Sequence, residues 1–156
     1  MVDHAGREEI LVTKVEEILA YKGDEVCTVS PEQTVREALK TMADKNVGAL
    51  IVLDGDDVVG IVSERDYARK AAAERSPSDE KPVRTIMSGD VVYVRPSHTV
   101  EEAMALMTDK HIRHLPVFEG DRLVGLVSIG DLVKASIAEK DFVIEQLESY
   151  IRGALR

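Results

Sequence analysis

The sequence predicts a mixed α/β fold built twice over, with each copy ordered strand, helix, strand, strand, helix. Two observations predict it. Sliding the chain by 65 residues aligns Val29–Arg69 with Val94–Lys134 without a gap, and 18 of those 41 pairs are identical, which marks an internal duplication. Within each copy, β-branched runs alternate with stretches whose apolar residues recur at helical spacing. The 156 residues are 44% apolar and 31% charged, the balance of a folded globular chain. Aromatics are only 4%, so the core is aliphatic.

In chain order, Met1 to Arg7 is polar. From Glu8 to Ala20, Leu11, Val15, Ile18 and Leu19 share a face, predicting an amphipathic helix that ends before Lys22-Gly23. Val26 to Val29 and Val91 to Val94 are short apolar strands, each halted by a proline that cannot donate to a ladder. Thr34-Val35-Arg36-Glu37 and Thr99-Val100-Glu101-Glu102 both fit the capping box and start two equivalent helices. The stripe Val35, Ala38, Leu39, Met42, Ala43 and its counterpart Val100, Ala103, Met104, Met107 face the core.

Asp54-Gly55-Asp56-Asp57 joins the runs Ala49 to Leu53 and Val58 to Val62 as a hairpin, and Glu119-Gly120-Asp121-Arg122 repeats the signal. Each copy closes with a helix from Ser63 or Ser128. The expected division is residues 8–75 as the first repeat with the N-terminal helix, 76–82 as a polar, proline-punctuated linker, 83–138 as the second repeat and 139–156 as a C-terminal helix. A unit of about 60 residues buries little by itself, so the two copies are expected to pack together. In the last helix Phe142, Leu147, Tyr150, Ile151 and Ala154 share a face; that face packs on its own domain or meets a partner.

The formal charge of −9 argues against nucleic acid, whose affinity comes from Lys and Arg on phosphates, and against an anionic membrane surface. Cys27 is the only cysteine. It forms no internal disulfide and supplies no paired-cysteine metal site, and its apolar run makes it a structural thiol. Neither a membrane-spanning run nor a signal-peptide layout is present, so the expected location is cytoplasmic.

The polar feature held in common is Ser-x-x-Asp at a strand-to-helix turn, Ser63 with Asp66 and Ser128 with Asp131. As structure it is a helix cap. As chemistry, the helix N-terminus and a hydroxyl hold a phosphate, while the aspartate one turn on accepts the two hydroxyls of a ribose; together they describe a nucleotide. Duplication of the motif favours the second reading. Arg65, Arg69 and Lys70 add positive charge beside the first copy. Beside the second stand Arg113 and His114, where the first has Gly48 and Ala49, so two pockets would be unequal. His98, His111 and His114 lack the pattern of a metal site, and none is expected. No Walker loop, nucleophile elbow or zinc-protease motif occurs, so binding without catalysis is expected.

These motifs, Gly-Ile-Val-Ser-Glu-Arg-Asp at 60–66, Gly-Leu-Val-Ser-Ile-Gly-Asp at 125–131 and Ile-Arg-His-Leu-Pro-Val at 112–117, resemble those of a CBS-domain pair, also called a Bateman module. The run at 63–70 resembles the stand-alone subgroup. The resemblance implies tandem repeats packed with pseudo-two-fold symmetry and two clefts between them for adenosine ligands: AMP, ADP, ATP or NAD(H), with S-adenosylmethionine ranked behind these. It implies Asp66 and Asp131 on ribose, and Ser63, Ser128, Arg113 and His114 on phosphate, to which the charge of Arg65 beside the first motif adds a further phosphate contact. Arg69, Thr28, Ala49, Ile61, Tyr93, Ile112 and Pro116 form a second tier of contacts. A homodimer and a protein partner of unknown identity are implied as well. The expected function is a regulatory nucleotide sensor; the rivals are an enzyme acting on adenine nucleotides and a structural repeat with no ligand.

Overall fold

The computed structural model describes residues 12–74 and 79–154. The expected polar start, helix positions 8–11, residue 75 at the end of the first repeat, residues 76–78 of the linker and 155–156 lie outside the described residues. The described residues form two compact units, one continuous within 25–92 and one split between 12–24 and 93–154.

The continuous unit carries β1 (Thr28–Val29), α2 (Val35–Lys45), β2 (Ala49–Asp54), β3 (Asp57–Ser63) and α3 (Glu64–Ala73), followed by a 3-10 turn at Val83–Thr85. The strand order is β1-β2-β3, parallel then antiparallel. β2 is central, and Ala49, Leu50, Ile51 and Val52 on it are all buried, as expected for a strand covered on both faces. Val29, Ala38, Met42, Leu50, Val52, Val62 and Val83 make the core, with Cys27 packed against it.

The split unit holds α1 (Val15–Lys22), α4 (Val100–Lys110), β4 (His114–Glu119), β5 (Arg122–Ser128) and α5 (Ile129–Ala154). α1 runs two residues beyond the expected Ala20, because Gly23, at φ 97°, turns the chain and its N–H closes on the Leu19 carbonyl at 2.8 Å.

The local signals act as the sequence predicts. Thr34 and Thr99 accept from the N–H of Glu37 and Glu102, and around Thr99 the capping box is complete. Both helices then end on a left-handed residue, Asn46 at φ 53° and His111 at φ 56°. The next N–H reaches back one turn, Val47 to the Met42 carbonyl and Ile112 to that of Met107, each at 3.0 Å. In the hairpins Asp54 pairs with Asp57 and Glu119 with Arg122, and Gly55 and Gly120 supply left-handed backbone at φ 64° and 61°. Val59 and Val124 bulge at matching places, since Val52 pairs with Gly60 but Leu53 with Val58, and Val117 with Gly125 but Phe118 with Leu123.

One expectation is corrected. The first strands are shorter than 26–29 and 91–94: only Thr28–Val29 forms in one unit, and in the other a single parallel bridge joins Val94 to Val117. Pro116 is the cause of the weaker second ladder. Its counterpart Ile51 donates to the Cys27 carbonyl at 3.1 Å, whereas a proline has no N–H to offer.

The compact units also divide the chain differently from the repeats. The helix expected to lead the first repeat packs in the split unit, where Val15 and Glu16 donate to the carbonyls of His98 and Pro96, and Val100 donates to that of Thr13. The segment leading the second repeat does the same in the continuous unit. There Val83 and Arg84 donate to Gln33 and Pro31, and Val35 donates to Lys81. The equivalent glycines of β3 and β5 mark the contact. A Cβ on Gly60 would stand 2.8 Å from Met87 Sδ and the Ser88 carbonyl, and one on Gly125 2.6 Å from a Leu19 methyl.

Candidate functional site

Each unit has a cleft beside its motif aspartate. In the continuous unit a cleft of about 300 Å³ is lined by Asp66, Arg69, Lys70, Ala73, Thr85 and Ile86. In the split unit one of about 540 Å³ is walled by α1 and α5, with Glu17, Tyr21, Lys22, Asp131 and Lys134 as its principal polar groups. Ile86 and Ile18 occupy corresponding walls, and Arg69 corresponds to Lys134 one turn beyond the aspartate. Both volumes fall in the range of small-molecule sites.

Ser63 and Asp66 form a complete capping box. The carboxylate Oδ2 accepts from Ser63 N–H at 2.8 Å and from its hydroxyl at 2.9 Å, and Asp66 N–H returns to that hydroxyl at 3.1 Å. Ser128 and Asp131 repeat the reciprocal bonds at 2.9 and 3.2 Å. Asp131 has one partner more. Lys22 Nζ, at the last residue of α1, lies 2.6 Å from Oδ2 and 2.8 Å from the Leu126 carbonyl. Partial burial by itself would raise the Asp131 pKa; the Lys22 ammonium and the Ser128 N–H outweigh it and hold the carboxyl below its ordinary value.

The other sequence-derived candidates sit as follows. Ala49 lies directly across the ladder from Ser63, and His114 across from Ser128. The carbonyl of Gly48 caps the first N–H of α3 at 3.1 Å and that of Arg113 caps α5 at 2.8 Å. The structure therefore brings Arg113 and His114 beside Ser128 and leaves Gly48 and Ala49 as their equivalents, the inequality read from the sequence. Arg65 is exposed on the first turn of α3. Thr28 and Ile61 both pair with Ile51 from opposite sides of β2. Pro116 is buried in β4, Ile112 is half-buried behind it, and Tyr93 is half-exposed with its ring edge-on to Phe118 and the Arg95 guanidinium 5.1 Å above it.

Only Asp66, Arg69 and Asp131 of these candidates line the two clefts; the serines, Arg113 and His114 stand at the adjoining helix starts. Sequence reasoning passed over Lys22, Glu17, Tyr21 and Thr85, because the repeat that carries those walls is displaced. Val15-x-x-Ile18 recurs as Val83-x-x-Ile86, 68 residues on rather than 65, and that shifted pair was the signal available. Of the histidines, His98 accepts from the Arg95 N–H through Nδ1 at 2.8 Å and His111 ends α4, both structural tasks.

Comparisons with known proteins agree with this architecture. The mitochondrial CBS domain-containing protein CBSX3 of Arabidopsis thaliana is 36% identical over 152 residues, covering 90% of this chain and 73% of its own. A solved structure of a protein with CBS domains from Burkholderia ambifaria MC40-6 is 50% identical, with a TM-score of 0.77 over 81% of this chain and 95% of that one. The CBS domain pair of protein MJ0100, solved with 5′-methylthioadenosine and S-adenosyl-L-methionine, shares the fold at a TM-score of 0.68 and 24% identity, over 80% of this chain and 95% of its own. The family profile described as CBS domain matches residues 15–73 and again 83–138, and with the duplicated strand-to-helix turns it establishes that the chain belongs to the CBS-domain family as a tandem pair.

Proposed function

We propose that the chain is a non-catalytic sensor of adenosine nucleotides, working in the cytoplasm and signalling through altered contacts with a protein partner. The observation that carries this is the pair of clefts, each with an aspartate at one helical turn and a cation, Arg69 or Lys134, on the next. That arrangement suits a ribose diol on the carboxylate with phosphate charge nearby. Ser63, Arg65, Ser128, Arg113 and His114, gathered at the two helix starts, are the assigned phosphate contacts. Unequal volumes of about 300 and 540 Å³ favour a mononucleotide in the Asp66 cleft and a dinucleotide such as NAD in the Asp131 cleft. The adenosine compounds held by MJ0100 show what this fold accommodates in another protein. Such a ligand shifts a conformational balance only by its difference in affinity for the two states.

Thermal melting with AMP, ADP, ATP, NAD, NADH and S-adenosylmethionine tests the reading. A ligand at about 100 times its Kd adds about 2.7 kcal/mol, and Asp66→Ala and Asp131→Ala should each abolish part of the response. The complete cap at Ser63 and Asp66 favours a second reading, a structural repeat with no ligand. On that reading both variants melt lower and no compound moves the melting temperature. Turnover of ATP or NAD would instead make the chain an enzyme.

The signalling unit we infer is a homodimer joined through α5. Ile137, Ile144 and Ile151 recur every seven residues with Leu147 between the last two, and all four are more than half exposed. From Val143 to Gly153 every residue is exposed. Of the face read from the sequence, Leu147, Tyr150 and Ile151 are exposed while Phe142 is half-buried, which supports a partner role for the distal part of the helix. Ile at one core position of the heptad with Leu147 at the other, Lys140 taking that place one heptad earlier, fits the choice made by parallel two-stranded coiled coils, which accept a polar residue at a single core position. An antiparallel pair would set Asp141 against Glu148 of the second copy, which a parallel pair avoids.

A further inference from the structure

Lys22 distinguishes the two clefts. It ends α1, held there by the turn at Gly23, and its ammonium bridges Asp131 Oδ2 at 2.6 Å and the Leu126 carbonyl at 2.8 Å. In the other unit the carbonyl equivalent to Leu126, that of Ile61, accepts from a backbone N–H instead, Ser88 at 2.9 Å. The cations of that segment pair elsewhere, Lys81 with Glu74 at 3.6 Å and Arg84 with Glu32 at 3.0 Å, and among the described residues no Lys or Arg forms an ion pair with Asp66. Lys70, the ammonium in that cleft's lining, is engaged by Glu74 at 3.3 Å. The two carboxylates, alike in sequence and in their caps, thus present different electrostatics to a ligand.

Resting on the nucleotide reading above, we propose that Lys22 sets the charge selectivity of the Asp131 cleft, admitting ligands that bring an anion and discriminating against neutral nucleosides. A diol that docks on Asp131 meets a carboxylate already committed to an ammonium. A neutral nucleoside either leaves that ion pair in place and loses one acceptor, or displaces it and strands a partly buried cation. A stranded charge is costly. A phosphate offers the displaced ammonium a replacement anion, so the exchange is balanced by a charge-assisted hydrogen bond. Lys134, in the same wall and free of that carboxylate, adds to the preference for an anion.

Calorimetric titration of AMP and adenosine into the full chain tests this, with Asp66→Ala in every protein so that only the Asp131 cleft responds. The expected preference for AMP over adenosine is tenfold or more, the order of one charge-assisted bond. Lys22→Met should cut it by about tenfold, weakening AMP and strengthening adenosine, and Lys22→Arg should keep it. Lys22→Gln, which keeps a donor without the charge, should behave as Lys22→Met and serves if the latter does not fold. Binding of AMP with the same preference in Lys22→Met or Lys22→Gln overturns the role of Lys22 and leaves the nucleotide reading standing. Absence of binding by AMP, ATP and NAD to the unaltered chain overturns the nucleotide reading and the selectivity with it.

Discussion

Asp131 shows how one residue serves the fold and a ligand site at once. Burial pushes its pKa up, but the Lys22 ammonium and the Ser128 N–H push harder, and the folded value lies below the ordinary one. The ionised form is therefore favoured by folding. Its contribution is fully present above the unfolded pKa, near 3.9, and is lost as pH falls through the lower folded value. Urea melts followed from pH 6 to pH 2 should show stability falling below about pH 4. In Lys22→Met the folded carboxyl returns toward its ordinary value, so the fall should be shallower. Asp79 keeps part of the acid limb in both proteins, because the hydrogen bond and the charge of Arg36 hold its carboxyl low. Equal acid slopes for the two proteins would show that Lys22 does not govern Asp131 in solution.

Among the elements, α5 is the one whose length its own unit does not explain. Its first eleven residues bury Leu132 and reach Glu139, whose carboxylate accepts from the Thr13 N–H. Beyond them it carries Ile144, Leu147 and Ile151 into solvent at 51%, 56% and 57% exposure. A helix end of this length is marginal in water without a packed face. Sedimentation should therefore find a dimer that Leu147→Lys or Ile144→Lys turns into a monomer, without altering the melt of the remaining fold. Leu147→Cys in a Cys27→Ser chain should oxidise to a covalent dimer, as the parallel arrangement requires. A mass unchanged by Leu147→Lys, with no cross-link, would rule this interface out. The sequence made elements of this kind easy to read, since caps at Thr34 and Thr99 and turns at Gly55 and Gly120 act over a few residues. It concealed the loss of the second leading strand, because that depends on Pro116 having no N–H to offer where its counterpart Ile51 donates to Cys27, 24 residues earlier in the chain.

At the scale of the whole molecule, the aspartates were legible because duplication doubled the signal, but their surroundings were not. Lys22 meets Asp131 across 109 residues of sequence, and α1 reads naturally as a prelude to the first repeat when it packs in the unit that carries the second. Each unit is completed by a short leading segment, 13–18 in one and 81–86 in the other, that feeds two N–H groups to the loop before a capped helix. In the split unit that segment also buries Val15 and Ile18. Burial of two such side chains is worth about 1.5–3 kcal/mol each, a large share of a net stability of about 5–15 kcal/mol. A chain beginning at Glu25 keeps the leading segment of the continuous unit and lacks that of the split unit. Hydrogen exchange on this chain should show β4, β5 and α4 losing protection while β2, β3 and α2 retain most of theirs. A synthetic peptide spanning 12–24 should restore the lost protection in trans, and a Val15→Asp peptide should not. Equal loss across both sets of strands, or no loss in β4 and β5, would show that the leading segment does not complete the unit in which it packs.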